Sequence, residues 1–224
     1  QAFEQGEQAI EKQHKDNYSE ILPVYPISDH KNASVASSDM QRTVEKCQKA
    51  IKLHSIVKKP KRNASRAKDP SYKAFMQKEE YNPMVQEAWL LMGKAQFYQL
   101  DFLAANATFA YVMRHFDDNK DVATEAQLWG ARSYAEMGWF YEAEDMLKRM
   151  DEKAFTPKTS QEYVLVMADL LLKQGNYVEA VPFLENARKI KPEDVTNLNL
   201  LKTAYYRVGN GAKYKEIENV IKKL

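Results

Sequence analysis

The chain is poor in cysteine, glycine and proline: one Cys, 7 Gly and 8 Pro in 224 residues. A lone cysteine, Cys47, excludes an intramolecular disulfide and a cysteine-rich zinc site. So few turn-formers, with little apolar alternation of period two, argue against an all-β fold and for helices joined by short turns. No run reaches the roughly 18–20 apolar residues of a membrane span, and no signal peptide is present. The chain begins at Gln1 rather than Met, so an upstream signal or lipid-anchor segment is compatible with it.

Signatures of chemistry are also missing. His14, His30, His54 and His115 share no metal-ligand spacing, and there is no His-Glu-x-x-His. No glycine-rich phosphate loop, Gly-x-Ser-x-Gly elbow or paired carboxylates can be picked out. The expectation is a protein that is not an enzyme and takes no cofactor or metal. Cys47 falls on the apolar face of its helix and reads as a small core residue. Four Asn-x-Ser/Thr sequons, at Asn17, Asn32, Asn63 and Asn106, carry little weight, because the pattern is common by chance.

Charge is unevenly spread. Residues 58–68 hold six basic side chains and no acid, so the net +2 becomes about −4 for the remainder. A nuclear-localisation or nucleic-acid patch is one reading; a solvated linker is the other. No aromatic interleaves the basic residues, so nothing there stacks on bases, and no nucleic-acid partner is expected.

What the chain does have is a repeat. Trp89, Met92, Gly93, Ala105 and Phe109 recur as Ala131, Tyr134, Gly138, Ala143 and Leu147, then as Ala168, Leu171, Gly175, Ala180, Leu184 and Ala187 before Pro192. Leu198, Leu201, Tyr205 and Gly209 follow in the same register. The repeats start near residues 86, 124, 161 and 195, which are 38, 37 and 34 apart. Gly93, Ala131 and Ala168 on the first helices are expected to face Ala105, Ala143 and Ala180 on the second, because small side chains let two axes approach. Asn82-Pro83 reads as an N-cap with proline at the first helical position. Gly138 and Gly175 stand where a left-handed C-terminal turn is wanted.

In the fourth repeat Lys202, Tyr214 and Glu218 stand where small and aromatic residues are expected, and the last helix has one apolar face. It suits either a terminal cap or an array that continues. Ahead of the repeats, residues 2–16 and 38–57 have helical spacing. Pro23 and Pro26 exclude a regular helix between them, and that apolar stretch is expected to lie extended along the helices. Residues 1–58 therefore read as a degenerate helix pair with a proline-containing insertion. Residues 59–81 read as a basic, mobile loop, and 82–224 as four repeats (86–119, 124–157, 161–194, 195–224).

The pattern resembles the tetratricopeptide repeat. The resemblance implies an all-α, right-handed superhelical solenoid of antiparallel helix pairs, about ten helices in all. It also implies a concave groove, lined by the first helices, that binds a peptide or helix of another protein. Counted from the repeat starts, that groove is expected to present Glu87, Leu90, Lys94 and Tyr98; Glu125, Leu128, Arg132 and Glu136; Asp169 and Lys173; and Asn199, Thr203, Tyr206 and Arg207. Leu90 and Lys94 stand where members that clamp a peptide carboxylate need Lys and Asn, so the clamp is absent. Phe3–Ile10, Ile21-Leu-Pro-Val-Tyr25, Asp39–Ile56 and Glu87–Tyr98 together resemble the N-terminal region of SprE/PorW-type tetratricopeptide lipoproteins of gliding motility and type IX secretion. That implies a scaffold in the cell envelope, periplasmic or outer-membrane-associated through an upstream lipid anchor. An intracellular co-chaperone or regulatory adaptor in the cytoplasm is the alternative.

Overall fold

The computed structural model describes residues 1–17, 21–28 and 30–224. The fold is all-α, as the repeat pattern predicts, and no strand occurs among the described residues. The eleven α-helices among them are α1 (Ala2–Gln13), α2 (Ala33–His54), α3 (Pro70–Gln77), α4 (Pro83–Tyr98), α5 (Phe102–His115), α6 (Lys120–Glu136), α7 (Phe140–Lys148), α8 (Pro157–Lys173), α9 (Tyr177–Ile190), α10 (Val195–Arg207) and α11 (Gly211–Ile221).

The helices pack as hairpins, α1 with α2, α4 with α5, α6 with α7, α8 with α9 and α10 with α11. The second helix of each hairpin then packs against the first helix of the next, and the first helices α4, α6 and α8 also touch in sequence. Neighbour-on-neighbour burial of this kind lets short helices, marginal alone, form one continuous core.

The four turns inside the repeated hairpins are built alike. Leu100, Gly138, Gly175 and Gly209 each have φ between 63° and 76°. In each turn that residue's N–H and the next residue's N–H donate back to the carbonyls of the last helical turn: Leu100 to Phe97 and Asp101 to Gln96, Gly138 to Ala135 and Trp139 to Tyr134, Gly175 to Leu172 and Asn176 to Leu171, Gly209 to Tyr206 and Asn210 to Tyr205. This is the Schellman arrangement, which satisfies the orphan carbonyls at a helix end. Leu100 adopts the left-handed conformation without being glycine, at a cost of about 1–2 kcal/mol, and its side chain packs on the first core cluster.

N-caps follow the expected chemistry. Asn82 accepts from Met84 N, ahead of Pro83. Asp101, Asn119, Thr156, Asp194 and Asn210 cap α5, α6, α8, α10 and α11 in the same manner. Each such cap contributes about 0.5–2 kcal/mol.

Close approach is enforced by small residues. A Cβ on Gly93 would lie 2.5 Å from Cε1 of Phe109, and its three nearest neighbours all belong to that ring. The Phe109 ring therefore fills the space over Gly93. Ala105, Ala131, Ala143, Ala168 and Ala180 are fully buried.

Two segments differ from expectation. Residues 59–81, expected as a loop, contain the two-turn helix α3 and a 3-10 turn at Ala64–Arg66. Asp69 caps α3 at Ser71 N with Pro70 next to it, and the Tyr72 hydroxyl lies 2.6 Å from the amide of Asn63. The buried carboxylate of Glu80 closes the segment by accepting from Ser55 Oγ, Ile56 N and Asn82 N. Its many donors hold it below the ordinary carboxylate value despite burial. The second helix of the N-terminal pair begins at Ala33 rather than Ser38.

Candidate protein-binding face

The first helices α4, α6 and α8 touch in sequence, and residues 21–28, from the link between α1 and α2, pack against α6, α8 and α10. Leu22 is buried in the apolar cluster built by α8 to α11. Tyr25 packs against both the α6–α8 cluster and the N-terminal one, and Ile27 is buried in the latter. Asn32, itself buried, ties down the far end by donating to the Pro26 carbonyl at 3.0 Å. Residues 21–28 thus form a strap that bends at Val24 and Tyr25 and ends in a 3-10 turn, Pro26–Ser28.

Arg132 on α6 is the centre of the contact. Its guanidinium lies between the rings of Tyr25, at 3.8 Å, and Trp129, at 3.9 Å. A cation held between two aromatic faces away from water is worth about 2 kcal/mol or more. Around it stand the carboxyls of Glu7, Glu136, Glu162 and Asp169, all of which feel its charge. Arg132 Nε has no hydrogen-bond partner among the described residues, although Arg132 is only 7% exposed.

One turn further along, Lys173 on α8 reaches Asp169 Oδ2 at 2.7 Å and Glu136 Oε1 at 2.8 Å. The Ser28 hydroxyl donates to the same Glu136 oxygen at 2.6 Å, and His30 lies 3.7 Å from the other. Burial pushes the Glu136 carboxyl up, but Lys173 and Ser28 outweigh it and hold the group below its ordinary value. Asp169 goes the other way: burial dominates and raises it against the pull of Lys173. At the N-terminal end the Tyr98 hydroxyl donates to Glu7 Oε1 at 2.8 Å, and Phe3 meets the Tyr98 ring edge-on. Burial keeps the phenols of Tyr25 and Tyr98 neutral far above pH 7. Lys94 pairs with Glu125 and lies 5.4 Å from the Trp129 ring.

Of the residues expected in the groove, Lys94, Tyr98, Glu125, Arg132, Glu136, Asp169 and Lys173 come together on this face; Tyr98 is engaged by α1 and Arg132, Glu136 and Lys173 by the strap, while Lys94 pairs with Glu125. Leu90, Leu128 and Asn199 are 2%, 2% and 5% exposed and belong to the core. Glu87 turns to the other side, at the rim of an apolar cleft between α2 and α4 that also holds Cys47 and Met84. Burial pushes the Cys47 thiol up to about 11, which suits a core residue and not a nucleophile. Thr203 is half-buried; Tyr206 and Arg207 are exposed at the C-terminal end of α10, beside Tyr214 and Tyr177 respectively.

Tyr25, Ser28 and Glu7 were missing from the expected groove. The signal for the strap was present, in two prolines within an apolar stretch, but nothing local says which face such a stretch covers.

Among the described residues no three of His, Cys, Asp or Glu gather as a metal site, and no helix is long and apolar enough to cross a membrane. No protein-family model matches the chain, and no curated protein matches it.

Proposed function

We propose that this chain is a non-enzymatic scaffold of the tetratricopeptide type, which holds a segment of another protein against the face of α6, α8 and α10. The single observation that carries the reading is that this face is already engaged by a peptide segment, residues 21–28 of the same chain. Apolar residues sit in the core clusters, an aromatic ring stacks on Arg132, and a hydroxyl docks on the Glu136–Lys173 pair. A surface that holds one such segment in this way has the chemistry to hold another.

The setting rests on resemblance. The likeness of Phe3–Ile10, Ile21–Tyr25 and Asp39–Ile56 to the SprE/PorW-type lipoproteins supports an envelope location and an assembly role in a secretion or motility machine. The test is crosslinking from native envelopes followed by affinity capture, with the crosslinked positions mapped on this chain. The reading requires a protein partner whose crosslinks fall on α6, α8 or α10. Partner crosslinks confined to α3, α5 or α7 would overturn it.

A further inference from the structure

Two clefts, both partly open to solvent, border the strap among the described residues. A cavity of about 420 Å³ lies between Ile21–Val24 and Ser28 on one side and Asp169, Leu172 and Lys173 on the other. A second, of about 190 Å³, lies between Pro23, Val24 and Pro26 and the α8–α10 residues Leu165, Asn197 and Leu200.

Two buried polar atoms on this face also lack partners among the described residues. One is the donor Arg132 Nε; the other is the acceptor Oδ1 of Asn197, which borders the smaller cavity and is 7% exposed. Leaving such groups unpaired costs about 1–3 kcal/mol each, so a segment that satisfied them would be preferred to the strap. The backbone of an incoming segment carries what is missing, a carbonyl for Arg132 and an N–H for Asn197.

We infer that residues 21–28 are a tethered self-ligand, standing in for a partner segment of the same chemistry and displaced by it. That segment is proline-containing, with an aromatic residue to stack on Arg132 and a hydroxyl-bearing residue for the Glu136–Lys173 pair. The inference rests on the proposed binding role and deepens it by naming the ligand class. A segment tethered at both ends has an effective concentration of the order of millimolar. It therefore lowers the apparent affinity of a free competitor by the fraction of time the face is open.

The experiment is a fluorescence-anisotropy titration with a labelled synthetic peptide of residues 21–28, Ile-Leu-Pro-Val-Tyr-Pro-Ile-Ser, and a scrambled control. One arm uses the intact chain. A second replaces residues 21–28 by Gly/Ser of equal length, and a third carries Tyr25→Ala alone, which keeps the remaining strap anchors should the full replacement not fold. The peptide is expected to bind the replaced chain at least tenfold more tightly than the intact one and the Tyr25→Ala chain several-fold more tightly, with the scrambled peptide not competing. A folded replaced chain that does not bind the peptide would overturn the inference; should that chain not fold, equal binding by the intact and Tyr25→Ala chains would do so. If native partners still crosslink to α6 and α8 after such a failure, the binding role stands and only the self-ligand falls.

Discussion

Gly93→Ala tests the packing on which the repeat register depends. In a helix interior alanine is favoured over glycine by about 1 kcal/mol, so the change would stabilise an unencumbered site. Here the added Cβ meets Phe109 Cε1 at 2.5 Å, Cδ1 at 2.9 Å and Cζ at 3.0 Å. Relief needs a displacement of about 1 Å, and the ring is fully buried beside Trp129 at a centroid distance of 6.4 Å. Overpacking of this kind costs about 1–3 kcal/mol, and with the ring hemmed in the upper part of that range applies. The net expectation is a loss of about 1–2 kcal/mol, or about 2–8 °C in melting temperature for a chain of this size.

Thermal unfolding followed by circular dichroism is the assay. Gly211→Ala is the control, since no atom lies within 4 Å of its Cβ position and its φ is not positive; it should be neutral or stabilising. Adding Phe109→Leu to Gly93→Ala should cost less than the two single changes together, because both act on one contact. A Gly93→Ala chain that melts at or above the parent would show that the Phe109 ring yields freely to the added methyl.

Further expectations concern the strap and the helices beneath it. Arg132→Lys keeps the charge but loses the planar stack between Tyr25 and Trp129, and should destabilise by about 1–2 kcal/mol. Amide exchange at residues 24–28 should also quicken, and unchanged exchange there would contradict the seating described for Tyr25. Glu136 is held below its ordinary 4.5 in the folded chain. Its contribution is therefore present above that value and is lost as pH falls through the folded one. Parent and Glu136→Gln melting temperatures should accordingly differ at pH 7 and converge in acid, and a gap that widens in acid would show the sign to be wrong. Pro182 lies inside α9 and is exposed. Pro182→Ala should restore a helical hydrogen bond and raise stability by about 1–3 kcal/mol, readable as a higher melting temperature.

Much of the architecture was legible because it is local. The spacing of Leu100, Gly138, Gly175 and Gly209 repeats the 38, 37 and 34 read from the sequence, since each turn needs one left-handed residue. The Asn82-Pro83 start was read from cap chemistry alone. The same chemistry in Asp69-Pro70 marked α3 and was overlooked in a stretch dominated by basic charge.

The face itself was less legible. Lys94, Arg132 and Lys173 were placed on it by counting, but the same count put Leu90, Leu128 and Asn199 there. An error of one position rotates a helical residue by about 100°, enough to move it from surface to core. Tyr25 on Arg132 and Ser28 on Glu136 join residues more than a hundred positions apart. No periodicity encodes such a contact, so the strap's composition could be read but not its seat.

Residues 21–28 lie across α6, α8 and α10, a seat that site-specific photocrosslinking can read out. Leu165 on α8 borders the smaller cavity opposite Pro23, Val24 and Pro26. With p-benzoylphenylalanine at position 165, irradiation of the purified chain should give an intramolecular adduct to residues 23–26, mapped by mass spectrometry of the digest. Adducts elsewhere, with none on residues 21–28, would contradict the account.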